Sequence, residues 1–398
     1  MRFLSSSVLK RFNFGFIRIG LIIFLMAHQV AVSQTTIKTE YRQKLASWMY
    51  FAESNQTTWN TGMMAIPQLQ FSKHRPSGLL IDSEFSVKLM GSKLQIDQQN
   101  TFNGVLEPYR AWVRLSSNQF EFRLGLQKIN FGSANSIRPL MWFDKLDPRD
   151  PLQLTPGTWA ALFRYYFMNN ANLWVWSILD REPSQGWYYF SDKALFPELG
   201  SRFQMPVKKG EIALSYNFRE GKKNETFRHQ HLFGFDAKFN YLVSFWIEGT
   251  HEYVPMTLSE RPMTIDLWNL GVDYTFGLGS GLLVSYEMIY YADQERLPGI
   301  KNQSFLSLVT ASTSITPFDR VFGLIYWAHT SNTVFPFLTY QHQFDTWSAN
   351  IMAYWNPQNA AIPSMSNDYN SFLGKGIQLM IIYDLSVEPK SKTKDNVN

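Results

Sequence analysis

Nine charged side chains, sorted by sign along the chain, are the residues of this sequence best equipped to act on a solute. Lys88, Arg110, Arg114, Arg123 and Arg164 come early and Asp236, Glu248, Asp273 and Glu287 come late, each in the polar slot of a stretch where polar and apolar residues alternate. Alternation with period two puts each set on one face of a run of β-strands. In a closed ring of about eighteen strands, strands eight places apart face each other, so a basic wall opposes an acidic one. The field between such walls orients dipolar solutes and disfavours apolar ones. Glu84, Glu121, Arg219 and Lys238 break the sorting, and Glu121 joins the candidate lumen set with Trp112. Trp112, Tyr166 and Trp246 share the inward parity, where they either stack on sugar rings or pack within the lumen.

The elements that must position these residues are legible in the local pattern. In YRAWVRL, Tyr109, Ala111, Val113 and Leu115 fall on one face, with Arg110, Trp112 and Arg114 on the other. QFEFRLGLQ repeats the arrangement, with Phe120, Phe122, Leu124 and Leu126 opposite Glu121, Arg123 and Gln127. Ile212, Leu214, Tyr216 and Phe218, then Leu270, Val272 and Tyr274, then Leu379, Ile381 and Tyr383 do the same further along. Arg320 to Ala328 and Thr333 to Gln341 are apolar on both parities, which requires another register or a covered inner side. Between Phe131 and Gly157 the alternation lapses in a long loop carrying Arg138, Asp144, Asp147, Arg149 and Asp150. Such a loop either caps a barrel or folds inward and constricts it.

From Met63 onward about eighteen strands are expected, within a range of 16 to 18. Short turns (Gly91-Ser92, Ser117-Asn118, Asn169 to Asn172, Lys208 to Gly210, Asn240 and others) alternate with connections that include every long one: 131–157, 182–196, 220–226, 252–262, 292–301 and 357–373. Sorting of short turns to one end is the signature of a transmembrane antiparallel up-and-down β-barrel, with the turns periplasmic and the long loops extracellular. Closure is compulsory, because an open edge in lipid leaves backbone groups unpaired. An aromatic content of 16% suits a wall whose apolar residues alternate with lumen-facing polar ones.

Residues 1–33 have the form of a secretory signal, with basic Arg2, Lys10, Arg11 and Arg18, an apolar core from Ile19 to Ala27, and Ala31-x-Ser33 as cleavage site. Removing it takes four positive charges from the formal +5, so overall charge is no argument for nucleic acid as a partner. Residues 34–60 lack clear alternation and read as an N-terminal periplasmic segment, 61–387 as the barrel and 388–398 as a polar tail. With no cysteine, disulfides, thiol chemistry and Cys-ligated zinc are excluded.

Three histidines and one short motif suggest other chemistry. A hairpin centred on Asn240 places His251 opposite His229, with His231 on the same outward face. Those three at the outer rim suit lipopolysaccharide headgroups, a divalent metal by ligand type, or neither role; no metal or cofactor is assigned. His329-Thr-Ser331-Asn332 resembles the H-x-S-N element of outer-membrane phospholipases, in which His and Ser share a strand face as base and nucleophile. The following TVFPFLTY supplies no amide to orient the imidazole, so no catalytic residue is assigned and an enzyme is not expected.

By position, the 131–157 loop, third on the extracellular side, resembles the third loop of general porins, which folds into the barrel. GLQKINFGSAN with FDKLDPRDP also resembles a stretch of alginate-export-type outer-membrane channels and related barrels. Gly125, Gln127, Gly132, Asp147, Pro148 and Asp150 match that pattern, while Leu126 and Phe131 stand where Arg and Trp are usual. The resemblance implies an eighteen-stranded barrel in the bacterial outer membrane and leaves the solute open. The expected function is passive diffusion of small hydrophilic solutes, with a homotrimer as one assembly. The rival is a non-conducting adhesin or assembly component acting through its outer loops.

Overall fold

A sheet with Leu124, Leu214, Leu270 and Ile381 on one surface and Asp236, Glu248 and Glu287 on the other must give those surfaces different surroundings. In the computed structural model, which describes residues 37–54, 56–144, 146–180, 197–223, 226–255, 263–294, 302–357 and 374–387, the greasy surface is the outer one. Leu214 and Leu270 are 62% and 47% exposed on the outside, whereas Glu248 and Glu287 are fully buried within.

Eighteen antiparallel strands form the wall: β1 (Lys38–Glu53), β2 (Thr57–His74), β3 (Leu80–Ile96), β4 (Gln99–Ser116), β5 (Phe120–Gln127) and β6 (Thr158–Tyr166). They continue as β7 (Asn172–Asp180), β8 (Glu198–Val207), β9 (Gly210–Lys223), β10 (Thr226–Asn240), β11 (Ser244–Val254) and β12 (Met263–Phe276). The ring ends with β13 (Leu282–Gln294), β14 (Asn302–Ser314), β15 (Asp319–Ala328), β16 (Thr333–Gln343), β17 (Trp347–Trp355) and β18 (Lys375–Val387). Each strand pairs with its sequence neighbour, and β18 returns to β1 in register from Tyr41↔Val387 to Glu53↔Lys375, so no edge is left open. Connections after even-numbered strands are two to five residues long, and every longer one follows an odd-numbered strand. The expected sorting of turns therefore holds.

Several boundaries differ from the reading of the sequence. The described part of 34–60 is not a periplasmic segment: it supplies β1 and the start of β2. Alternation in β1 is masked because its inner face is itself apolar; Ala46 packs in one cluster with Met64, Ile66, Met380 and Ile382, lidded by Leu152 and Leu154 of the long loop. Gly91-Ser92 is not a turn but lies inside β3, whose hairpin bends at 97–98. The β10–β11 turn centres on Leu242, not Asn240, so His251 pairs with Phe233 rather than His229. Tyr109 sits at a bulge opposite Ser86 and Val87 and packs inward with Trp48 and Met90.

The apolar double parity of β15 and β16 has the second of its two explanations. Leu324, Tyr326, Phe335 and Phe337 point inward and are covered, packing with Leu267, Ile289 and Leu308 and with Ile137 of the loop. The 1–33 signal, the 388–398 tail, loop 182–196 and most of 252–262 and 357–373 lie outside the described residues.

Candidate functional site

The segment 128–157 leaves the top of β5, turns into the barrel and crosses it. Its first half carries its own apolar face: Ile129, Phe131, Leu140, Trp142 and Phe143 are buried against inward Leu162, Trp176 and Leu232. Phe131 stacks on Trp176 at 5.5 Å and meets Trp142 edge-on at 5.6 Å. Burying that much backbone requires partners for every N–H it carries inside.

The acidic wall supplies them. Glu248 accepts N–H groups from Ala134 (2.8 Å) and Leu140 (2.7 Å), one on each carboxylate oxygen. Glu287 accepts from Ser136 (2.9 Å) and Ile137 (3.1 Å), and Asn269 donates both to Glu287 (2.7 Å) and to the Ile137 carbonyl (2.6 Å). Asp236 accepts from the Ser133 hydroxyl at 2.8 Å and pairs with Arg202 at 3.0 Å; Asp273 accepts from Asn135 at 3.5 Å. Trp142 donates its indole N–H to Thr250 at 3.0 Å. A buried carboxylate without partners is costly, and one with two or more charge-assisted hydrogen bonds is not. These four acids are therefore the socket of the loop. Gly132 permits the contact: at φ 115° its backbone lies so near Glu248 that a Cβ would sit 2.4 Å from the carboxylate.

Within the loop four of the five expected charges pair among themselves, and the fifth, Asp150, caps the backbone. Arg138 donates to Asn130 (2.6 Å) and to the Phe131 carbonyl and lies 3.6 Å from Asp144. Asp147 receives the Arg149 backbone N–H at 2.9 Å and its guanidinium on both oxygens, while Asp150 accepts the Leu152 N–H at 2.9 Å. Such Asx-type caps make Asp-Pro-Arg-Asp a rigid turn, and Arg149 lies 5.0 Å from the Phe337 ring centre, anchoring it to the wall. Burial raises the carboxyls of Asp144 and Asp150 above the ordinary range, opposed at Asp144 by Arg138 and Lys128. Burial also lowers the Lys128 ammonium.

On the opposite wall, Trp112, Arg114, Glu121, Arg123 and Arg164 form one cluster. Arg114 is bidentate to Asp82 (2.9 and 2.6 Å) and reaches Glu121 at 3.3 Å; Arg123 and Arg164 reach Glu121 at 3.0 and 3.7 Å. Arg123 covers Trp112 at 4.6 Å and Arg164 covers Trp174 at 3.7 Å. Three guanidinium groups face Asp82, Glu121 and, beside Trp112, Glu84, so the cluster itself is balanced, while the cavity it borders is lined by Lys38, Arg114 and Arg123 against Glu40 and Asp82 and is net positive.

Arg110 and Lys88 do not join it. Arg110 is buried and donates to the Thr155 carbonyl at 2.8 Å, pinning the loop's return to β6, and Lys88 is paired with Glu107 at 2.6 Å. The sequence reading missed Asp82, Asn269, Arg202, Thr250 and Trp174. Asp82 and Arg202 were visible as inward-parity charges; Asn269 and Thr250 carry no signal apart from the loop backbone they serve.

Two cavities lie within the barrel, the second of them against the loop. One, of about 270 Å³, is lined by Lys38, Glu40, Gln70, Asp82, Arg114 and Arg123. The other, of about 260 Å³, lies between loop residues 148–153 and β15–β17. Neither Trp112, under a guanidinium, nor Trp246, buried against the Gly271 backbone, offers the free ring expected for sugar stacking.

The alternative chemistries do not assemble. His329 is bonded through Nε2 to Ser307 at 2.8 Å rather than to Ser331, and Asn332 at φ 49° is a turn residue accepting from the Trp327 indole. His231 meets the Tyr216 hydroxyl at 2.9 Å and His251 meets Asp266 at 2.7 Å. Among the described residues no three His or acidic groups converge as a metal site.

A closed eighteen-strand antiparallel cylinder, apolar outside and polar within, with an inward-folded third loop, is the fold of bacterial outer-membrane porin-type barrels. Among solved structures, the chain is similar to Acinetobacter baumannii OccAB4 (TM-score 0.55, 8% identity, covering 89% of this chain and 99% of that one). It is similar also to Pseudomonas aeruginosa OccK5 (OpdH) (TM-score 0.54, 7% identity, 88% and 98% covered) and OccK7 (OpdD) (0.52, 8%, 88% and 100%). No protein-family model matches the chain, and no curated protein matches it in sequence.

Proposed function

We propose that the barrel is an outer-membrane channel for passive diffusion of small hydrophilic solutes, with the 131–157 loop as its constriction. The observation that carries this reading is the loop itself, held across the lumen by hydrogen bonds to Asp236, Glu248 and Glu287. A transverse field between free walls, as expected from the charge sorting, does not fit that geometry, because the acidic side is spent on the loop. Solutes instead pass beside the loop, along the cavity under Arg114 and Arg123 and the one under β15–β17. The net positive lining of the first cavity, Lys38, Arg114 and Arg123 against Glu40 and Asp82, then favours anions over cations of equal size.

Outward His229, His231 and His251 at the extracellular rim are assigned to lipopolysaccharide headgroups, and three copies of the chain to one assembly. The test is conductance of the purified, refolded protein in planar bilayers: discrete steps with anion preference are expected. Folded, inserted protein that passes no current would overturn the reading in favour of a non-conducting adhesin or assembly barrel.

A further inference from the structure

The second cavity has a chemistry of its own. Register places Arg320, Gln341 and Asn350 in one row across β15, β16 and β17, with Phe322 beside Thr339 one step above. Gln153, on the loop at φ 46°, faces them across the gap, and Asp150 completes the rim. The side chains of Gln153, Thr339 and Gln341 make no hydrogen bond among the described residues. Arg320 gives its Nε–H to Ser312 at 2.9 Å and forms no ion pair among them. Free polar groups thus crowd a space of about 260 Å³ directly below the apolar stretch of Leu324 and Phe337.

The composition of this set selects against ions. Of the charges that line the cavity, Arg149 is neutralised by its bidentate pair with Asp147, which leaves the Arg320 guanidinium and the Asp150 carboxylate, so an anion or a cation meets one favourable and one unfavourable charge. Amides and a hydroxyl both donate and accept, and so do the hydroxyls of a sugar, whereas a carboxylate only accepts and an ammonium only donates. Phe322 adds an apolar face for ring C–H groups. Resting on the channel reading above, we propose that Gln153, Phe322, Thr339, Gln341 and Asn350 form a subsite for an uncharged, hydroxyl-rich solute about one sugar ring in size. The loop then divides the lumen into a lane that favours anions, under Arg114 and Arg123, and a neutral lane under β15–β17.

Glucose titrated against the ion current of single channels tests this, with glycerol at matched viscosity as the control. The expected result is saturable, reversible current reduction by glucose alone, with half-saturation raised about 5- to 10-fold in Gln341→Ala, the effect of losing one or two solute hydrogen bonds. Thr339→Val and Gln153→Ala, on a different strand and on the loop, are expected to shift it in the same direction, and open-channel current in each record reports insertion. Glucose reducing current only as glycerol does, or saturation unmoved in all three variants, would overturn the subsite while leaving the channel standing. Absence of any current overturns the channel reading itself.

Discussion

Replacing the two socket glutamates by glutamine separates a mechanical role for the acidic wall from an electrostatic one. Glu248 accepts one loop N–H on each oxygen, at 2.8 and 2.7 Å, and Glu287 does the same at 2.9 and 3.1 Å. In Glu248→Gln one oxygen becomes an NH2 facing a donor, which strands a buried N–H at about 1–3 kcal/mol, and the surviving bond loses its charge assistance, about 1 kcal/mol. Removing a fully buried charge offsets part of that loss. The net is about 1–3 kcal/mol per site, or roughly 5- to 150-fold in the ratio of docked to undocked loop. Single-channel records of Glu248→Gln/Glu287→Gln are therefore expected to show larger and noisier conductance with little change in ion preference. A short bifunctional thiol reagent joining cysteines introduced at 135 and 273, whose native side-chain tips meet at 3.5 Å, is expected to restore the quiet state, since the chain has no other thiol. Unchanged conductance with a strong shift toward anions would refute the reasoning, because it would place both carboxylates on the solute path.

Three further outcomes follow from the same contacts. Gly132→Ala is expected to mimic the glutamate variants, because its Cβ would fall 2.4 Å from the Glu248 carboxylate in a backbone conformation L-residues avoid; wild-type noise in this variant would contradict the close approach. Arg114→Glu changes the cluster by two charges and is expected to weaken or reverse anion preference in reversal-potential measurements, whereas Arg110→Glu is expected to lower thermal stability, its guanidinium being buried on the Thr155 carbonyl. Burial holds the Asp150 carboxyl above its ordinary value, so its ionised form costs stability once pH rises through that raised value, and the cost is absent below the unfolded value. Asp150→Asn keeps the cap on Leu152 and is expected to melt higher than the parent at pH 7, with the difference vanishing in acid; an equal or larger gap at low pH would show the sign to be wrong.

The wall was legible where one face meets lipid and the other meets water or polar partners. Leu214 and Leu270 declare the outside because the residues between them, Ser215 and Gly271, are polar or small. That contrast fails in β1, β15 and β16, whose inner faces pack on Leu152, Leu154 and Ile137 from a distant loop. Strand existence therefore survived in β15 and β16, while β1 was read as irregular. The loop was legible through its length and its Asp-Pro-Arg-Asp turn. Its socket was not, because Glu248 and Glu287 bind backbone N–H groups, which every residue but proline owns and no motif records. Hairpin register was the weakest element: moving the β10–β11 turn from Asn240 to Leu242 slides His251 from His229 to Phe233 without changing its face. An even shift preserves which side a residue is on and loses which neighbour it has.

The orientation of the wall is what every functional statement depends on, and a cysteine-free chain makes it directly measurable. Single cysteines at 70, beside Arg114 in the lumen cavity, and at 270, on the outer face, are exposed to a water-soluble thiol reagent in reconstituted vesicles. Rapid labelling of Gln70→Cys and protection of Leu270→Cys are expected; labelling at 270 with protection at 70 would contradict a wall that is apolar outside and wet within.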